Sequence, residues 1–246
     1  DDPKGRGRDN LPDYRRPVVH EMLTDLAELP QMISLTGPRR VGKTTGLRQL
    51  ICSLLDDQRF DQRRIVYFSF DDPLVFGSSD LQRIIFDRLV ERTKSKPGSS
   101  TIWYFLLDEI QRLPKWELYL KKYYDLKYPI RLIVSGSASS HIFRQSQESL
   151  LGRIKDRHLL PFGFKEYCLF HLRSNPVFST TIQQHGGLRQ LLMEGRGTEV
   201  AQSVCELESK LAPFERQISE AVVSYCRDGG FPEVWQLTDP VRKIEY

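Results

Sequence analysis

Residues 31–45 read QMISLTGPRRVGKTT. Gln31 to Thr36 form an apolar, β-rich segment long enough for a buried strand, and beyond the loop Leu47, Leu50, Ile51, Leu54 and Leu55 recur at helical spacing. A strand therefore feeds a glycine-bearing turn that opens a helix over about Lys43 to Leu55. Gly37, Gly42, Lys43 and Thr44 satisfy the spacing G-x-x-x-x-G-K-[ST]. These residue types suit a phosphate cradle. Gly37 and Gly42 let the backbone N–H groups of the intervening Pro38-Arg39-Arg40-Val41 stretch turn inward where they exist, and the helix N-terminus adds partial positive charge. Lys43 is placed to reach β and γ phosphates and the Thr44 hydroxyl to coordinate magnesium, while Thr45 is suited to a second phosphate or helix-start contact.

Downstream comes TIWYFLLDEI, where the apolar run Ile102 to Leu107 ends in Asp108 and Glu109. A buried strand finishing in two adjacent carboxylates is costly unless a cation relieves it. Asp108 is the residue to hold magnesium, generally through water, and Glu109 the one to orient or deprotonate an attacking water. In IRLIVSGSAS, Ser135 or Ser137 could reach the γ phosphate or the water if that strand lies between the loop strand and the carboxylate strand; a plain Ser/Gly turn is the alternative. Asp71 and Asp72 before Pro73 read as a turn. Arg153, at the mouth of a fifth strand, could sense or neutralise phosphate charge in cis or across a subunit interface, or be an ordinary paired surface arginine.

Short apolar runs alternate with amphipathic helical patterns from Gln31 to about Phe164, as in a parallel sheet covered on both faces. The expected strands are Gln31 to Thr36, Arg64 to Phe70, Thr101 to Leu107, Ile130 to Ser135 and Ile154 to Leu160. The expected helices are Lys43 to Leu55, Asp80 to Arg92, Trp116 to Leu126 and Ser140 to Gln147, with a polar loop over Lys94 to Ser100. Val18, Val19, Met22, Leu23, Leu26 and Leu29 form an earlier helical stripe. Residues 1–14 read as a tail, 15–175 as the core domain, 176–198 as an irregular connection and 199–246 as a helical segment. In that segment Pro213 starts a helix with Phe214, Ile218, Ala221, Val222 and Tyr225 on one face, and Gly229 and Gly230 stop it.

With 246 residues, 39% hydrophobic and 28% charged, the composition is that of a globular chain rather than a disordered one. A net charge of +4 permits an anionic partner without demanding one. Cys52, Cys168, Cys205 and Cys226 lack any C-x-x-C pair, which favours reduced thiols and a cytoplasmic location. The histidines form no ligand cluster, and no metal site built from protein side chains alone is indicated. No segment approaches the roughly 18 apolar residues that cross a bilayer.

The segments ISLTGPRRVGKTTGLRQL, VYFSFDDP, LLDEIQRLPKWE, IRLIVSGSAS, LLGRIKDRHLLPFGFKEY and GGFPEV occur in that order. Together they resemble a prokaryotic family of AAA-type ATPases whose ATPase domain precedes a C-terminal domain of unknown function. The resemblance implies an α/β fold: a P-loop NTPase three-layer sandwich with a parallel five-stranded sheet of order 5-1-4-3-2. It also implies ATP and Mg2+ as ligands, a sensor role around Ser135 to Ser137, a functional Arg153, and a contact from Gln111 to nucleotide or water. The chain stops soon after GGFPEV, where the family continues, so a further domain is expected to follow.

The leading expectation is a magnesium-dependent, ATP-hydrolysing switch for a partner or attached domain. Two others stand beside it. The basic pairs Arg15/Arg16, Arg63/Arg64 and Lys121/Lys122 suit an ATPase that handles nucleic acid, and a nucleotide-gated scaffold would form a nucleotide-dependent oligomer with little hydrolysis.

Overall fold

The computed structural model describes residues 11–73, 79–94, 100–137, 150–184, 188–237, 239 and 243. The expected helix at 140–147 and residues 95–99 of the polar loop lie outside them. Two compact units divide the chain, Asp1–Leu160 and Pro161–Tyr246.

The first unit is a five-stranded sheet. Its strands are β1 (Met32–Gly37), β2 (Ile65–Ser69), β3 (Trp103–Asp108), β4 (Ile130–Ser137) and β5 (Ile154–His158), in the order β2-β3-β4-β1-β5 with every pairing parallel. This is the order the resemblance implied. Helices α1 (Pro17–Glu28), α2 (Lys43–Asp56), α3 (Ser79–Arg92) and α4 (Trp116–Asp125) cover it.

Period-2 alternation divides the side chains of each central strand between two cores. Ile33, Leu35, Leu106 and Ile133 pack with Val18, Met22, Leu47, Leu50 and Leu54 from α1 and α2. Met32, Phe105, Leu107, Leu132 and Val134 pack with Phe86, Trp116 and Leu120 from α3 and α4. Strands buried on both faces are predominantly apolar, which is why β1, β3 and β4 are plain in the sequence even though Ser34 and Thr36 interrupt β1 and Arg131 interrupts β4. The edge strand β5 is charged instead, and Arg157 on it makes a bidentate pair with the buried Asp25 of α1 at 2.7 and 2.8 Å.

Residues 11–14 depart from the expected tail. Buried Gln49 of α2 donates to the carbonyls of Pro12 and Tyr14, both at 2.9 Å, and so fastens this segment to the helix that follows the glycine-rich loop.

The second unit is helical: α5 (Phe164–His171), α6 (Pro176–Gln184), α7 (Leu188–Met193), α8 (Gly197–Leu211), α9 (Glu215–Asp228) and α10 (Pro232–Trp235). Residues 161–175, which the sequence reading joined to the core, contribute here: Tyr167 and Cys168 pack with Phe178 and Ala221. The stretch expected to be irregular contains two helices. Asn175 starts the first, its side-chain oxygen accepting from the Val177 and Phe178 N–H groups at 3.1 and 3.2 Å, with Pro176 following. That Asn-Pro pair was a legible start signal. Pro213 lies in a short 3-10 turn, Ala212–Phe214, and α9 starts after it; the expected face holds for Phe214 of that turn and for Ile218, Ala221 and Tyr225 of α9, whereas Val222 is 41% exposed. The stop is Gly229 at φ 68°.

Candidate active site

Because all five strands run parallel, their C-terminal ends meet at one edge of the sheet, where an open α/β sheet offers a crevice. The loop after β1, the Asp108-Glu109 end of β3 and the Ser135-Gly136-Ser137 end of β4 all lie there. Strand β4 separates the other two, with Ser137 in register with Gly37.

The loop has two glycines with different duties. A Cβ on Gly37 would lie closer than 3.0 Å to the Leu159 carbonyl oxygen, so the close approach of the chain just past β5 leaves no room for a side chain. Gly42, the residue before α2, has φ 97° and open space around it, so only its backbone conformation demands glycine. Between them Arg39 and Arg40 are exposed, Arg40 at φ 63°, and Val41 is fully buried. Arg16 holds the far side of this loop, donating to the Leu160 carbonyl at 2.9 Å and, more weakly, to that of Val41 at 3.5 Å.

Lys43 is 6% exposed, and its ammonium donates to the carbonyls of Pro38 at 2.8 Å and Gly37 at 3.2 Å. Burial holds its pKa below the ordinary lysine range; the Glu109 and Asp108 carboxylates pull it back up, and Arg39 adds a smaller push down. Thr44 sits one residue on and donates from its hydroxyl to Asp108 Oδ2 at 2.7 Å, across 64 residues of chain. Thr45 follows, partly buried, in the first turn of α2.

Asp108 is 2% exposed and, among the described residues, receives four donors. Thr44 and the Tyr67 phenol, the latter at 3.2 Å, reach Oδ2; the Ser135 hydroxyl and the Glu109 N–H, at 3.2 Å, reach Oδ1. Glu109 N–H also donates to Ser135 Oγ at 3.2 Å, and Glu109 takes the left-handed conformation at φ 52°. Its side chain accepts from the Gln111 amide. Burial, with the Asp108 carboxylate alongside, pushes the Tyr67 phenol up to about 12, while Arg48 draws it down.

The arrangement brings together Gly37, Gly42, Lys43, Thr44, Asp108, Glu109 and Ser135. It leaves Arg153 elsewhere. The Arg153 carbonyl accepts from Met32 N–H at 2.9 Å, at the start of β1, and its guanidinium pairs with Asp125 at 2.7 Å. Five strand steps of about 3.3 Å place it roughly 16 Å along the sheet from Gly37. The strand whose mouth Arg153 occupies begins at the opposite end of the sheet from the loop, so this placement does not bring it to the phosphate loop of its own chain. Tyr67 and Arg16 were missed. A tyrosine in a strand and an arginine before a helix carry no local signal; only strand order and the chain's return past Leu159 reveal their partners.

The oxygen set fits a hard divalent ion. A buried carboxylate and a threonine hydroxyl lie within hydrogen-bonding distance, without sulfur or imidazole, which suits magnesium and not softer metals. Among the described residues no group of three or more His, Cys, Asp or Glu is placed to hold a metal. Phosphate and water oxygens would have to complete the shell.

Residues 29–168, more than half of the chain, match the family described as AAA domain. The chain belongs to the AAA domain family. This AAA domain chain is 28% identical over 163 residues to an uncharacterized protein of Methanocaldococcus jannaschii, covering 66% of this chain and 34% of that one. A Haemophilus influenzae protein, also uncharacterized, is 26% identical over 136 residues, covering 54% and 32% respectively. The chain thus spans about a third of the length of the curated relatives it matches. Among solved structures, the Walker-type ATPase PABY2304 of Pyrococcus abyssi is similar at a TM-score of 0.42 and 17% identity, over 86% of this chain and 80% of that one. PCH-2 of C. elegans is similar at 0.40 and 15%, over 65% and 41%.

Proposed function

We propose that this AAA domain binds ATP with a magnesium ion, hydrolyses it, and acts as a nucleotide switch for a partner or attached domain. The observation that carries the reading is the 2.7 Å bond from Thr44 to Asp108, which joins the loop helix to the carboxylate strand. It sets a magnesium-competent hydroxyl beside a buried carboxylate at the mouth of a glycine-rich loop.

On this reading the loop from Gly37 to Gly42, with Thr45, cradles the phosphates through backbone N–H groups and the N-terminus of α2. Lys43 leaves the Gly37 and Pro38 carbonyls for phosphate oxygens, a favourable exchange because a buried ammonium gains an anionic partner. Thr44 and Asp108 would hold magnesium, which would supply positive charge to offset that of the phosphates. Glu109 accepts a proton from the attacking water, and Ser135 keeps Asp108 and the Glu109 backbone in place. A small-molecule kinase is disfavoured, since a glutamate beside the phosphates activates the water that kinases exclude. The preference for ATP over GTP rests on family membership.

The nucleic-acid reading has less support. Arg15 and Arg16 are engaged internally with Ser53 and Leu160, and Arg64 pairs with Asp61.

The test is Glu109→Gln. Phosphate release is expected to fall at least about a hundredfold, within the range for loss of a general base, while ATP affinity stays within a few-fold. Turnover surviving at the wild-type rate would sink the assignment. Size measurement with ATP, ADP and no nucleotide separates a hydrolytic switch from an assembly scaffold.

A further inference from the structure

A carboxylate has about four lone-pair sites, and the four donors on Asp108 fill them. A metal ion, or a water bound to it, needs one of those sites. The donors differ in how readily they can leave. The Glu109 N–H is backbone, held a second time by Ser135, and Ser135 is fully buried in β4. Thr44 need not leave, because its oxygen can meet the ion while its proton stays on Asp108. Tyr67 is 36% exposed and sits on β2, outside the loop, and its hydroxyl has Arg48 within hydrogen-bonding reach as a second partner.

We propose that Tyr67 is a placeholder: in the metal-free protein its hydroxyl occupies the position on Asp108 Oδ2 that a metal-bound water takes when the ion enters. Tyr67 is thus a positioning residue that sets the metal concentration at which the site fills. In the metal-free state it completes the set of donors on Asp108, since each unsatisfied lone pair on a buried carboxylate is costly. The inference rests on Asp108 being the metal-holding residue.

The experiment titrates Mn2+ into the full chain bound to a non-hydrolysable ATP analogue, with free Mn2+ read by electron paramagnetic resonance. Nucleotide binding in EDTA is measured in parallel. Tyr67→Phe removes the competing donor and is expected to tighten Mn2+ about three- to tenfold, the scale of one partly exposed bond to a charged group, with binding in EDTA unchanged. Tyr67→Leu also lacks the hydroxyl and should shift Mn2+ in the same direction, which keeps the test decisive if the first variant folds poorly. Unchanged or weaker Mn2+ binding in both variants overturns the placeholder role. Asp108→Asn separates the two levels: if it leaves Mn2+ affinity untouched, the metal reading itself fails, whereas if it weakens Mn2+ while the Tyr67 variants change nothing, only the placeholder fails.

Discussion

The backbone N–H of Glu109 donates to the side chain of Ser135 at 3.2 Å, and the same hydroxyl donates to Asp108. One serine on β4 therefore fixes both carboxylate residues at the end of β3, and it does so because β4 lies between that strand and β1.

Ser135→Ala removes this link without adding bulk. It leaves the buried Asp108 short of a donor, so a loss of about 1–3 kcal/mol in denaturant unfolding is expected. Phosphate release should fall on the order of tenfold as Asp108 and Glu109 lose their mutual alignment. Ser137→Ala is expected to change turnover less. Equal effects of the two would show that the bond to Asp108 is not what matters.

The two loop glycines should respond differently to alanine. Gly37→Ala drives a methyl group into the Leu159 backbone, which must move, at a cost of about 1–3 kcal/mol or more. Gly42→Ala meets open space and should cost about 1–2 kcal/mol from the left-handed conformation alone. Paired denaturation curves check the ranking; a milder Gly37→Ala would contradict the close approach of the chain just past β5.

Arg153→Ala deletes an exposed pair with Asp125 at the far end of the sheet. Stability and single-chain ATP turnover are both expected to stay at wild-type levels. A tenfold drop in turnover that is independent of protein concentration would refute this placement. A drop that appears only where the protein self-associates would instead assign Arg153 to a neighbouring copy.

In the second unit, Arg227 and then Lys243 hold the Asp228 carboxyl down to about 2, from an ordinary 3.8. A depressed carboxyl pKa favours the folded state at pH above the unfolded value. That contribution is complete above about pH 4 and disappears as pH falls toward 2. Acid titration followed by circular dichroism should show Asp228→Asn destabilised at neutral pH, with the difference from wild type shrinking below pH 4. A gap constant across pH 2–7 would remove the carboxylate as its source.

Much of the fold was legible because its signals are local. The predominantly apolar runs of β1, β3 and β4 need only their own residues to declare buried strands. The α2 periodicity and the glycines before it likewise announce a strand, a turn and a helix. The helix that Asn175-Pro176 starts is also written in local terms, but its stripe of Phe178, Thr181 and Ile182 spans little more than one turn, too short for periodicity to stand out.

The amino-acid sequence by itself determined which residue types could hold phosphate and metal, since loop spacing and a strand ending in Asp108-Glu109 are properties of neighbours along the chain. Tertiary structure alone decided which of them meet. Asp108 gains Thr44, Tyr67 and Ser135 from separations of 64, 41 and 27 residues, and Arg153 is carried to the opposite end of the sheet. Such partnerships depend on strand order, parallel direction and register, which emerge only when the two cores pack and bring distant segments side by side.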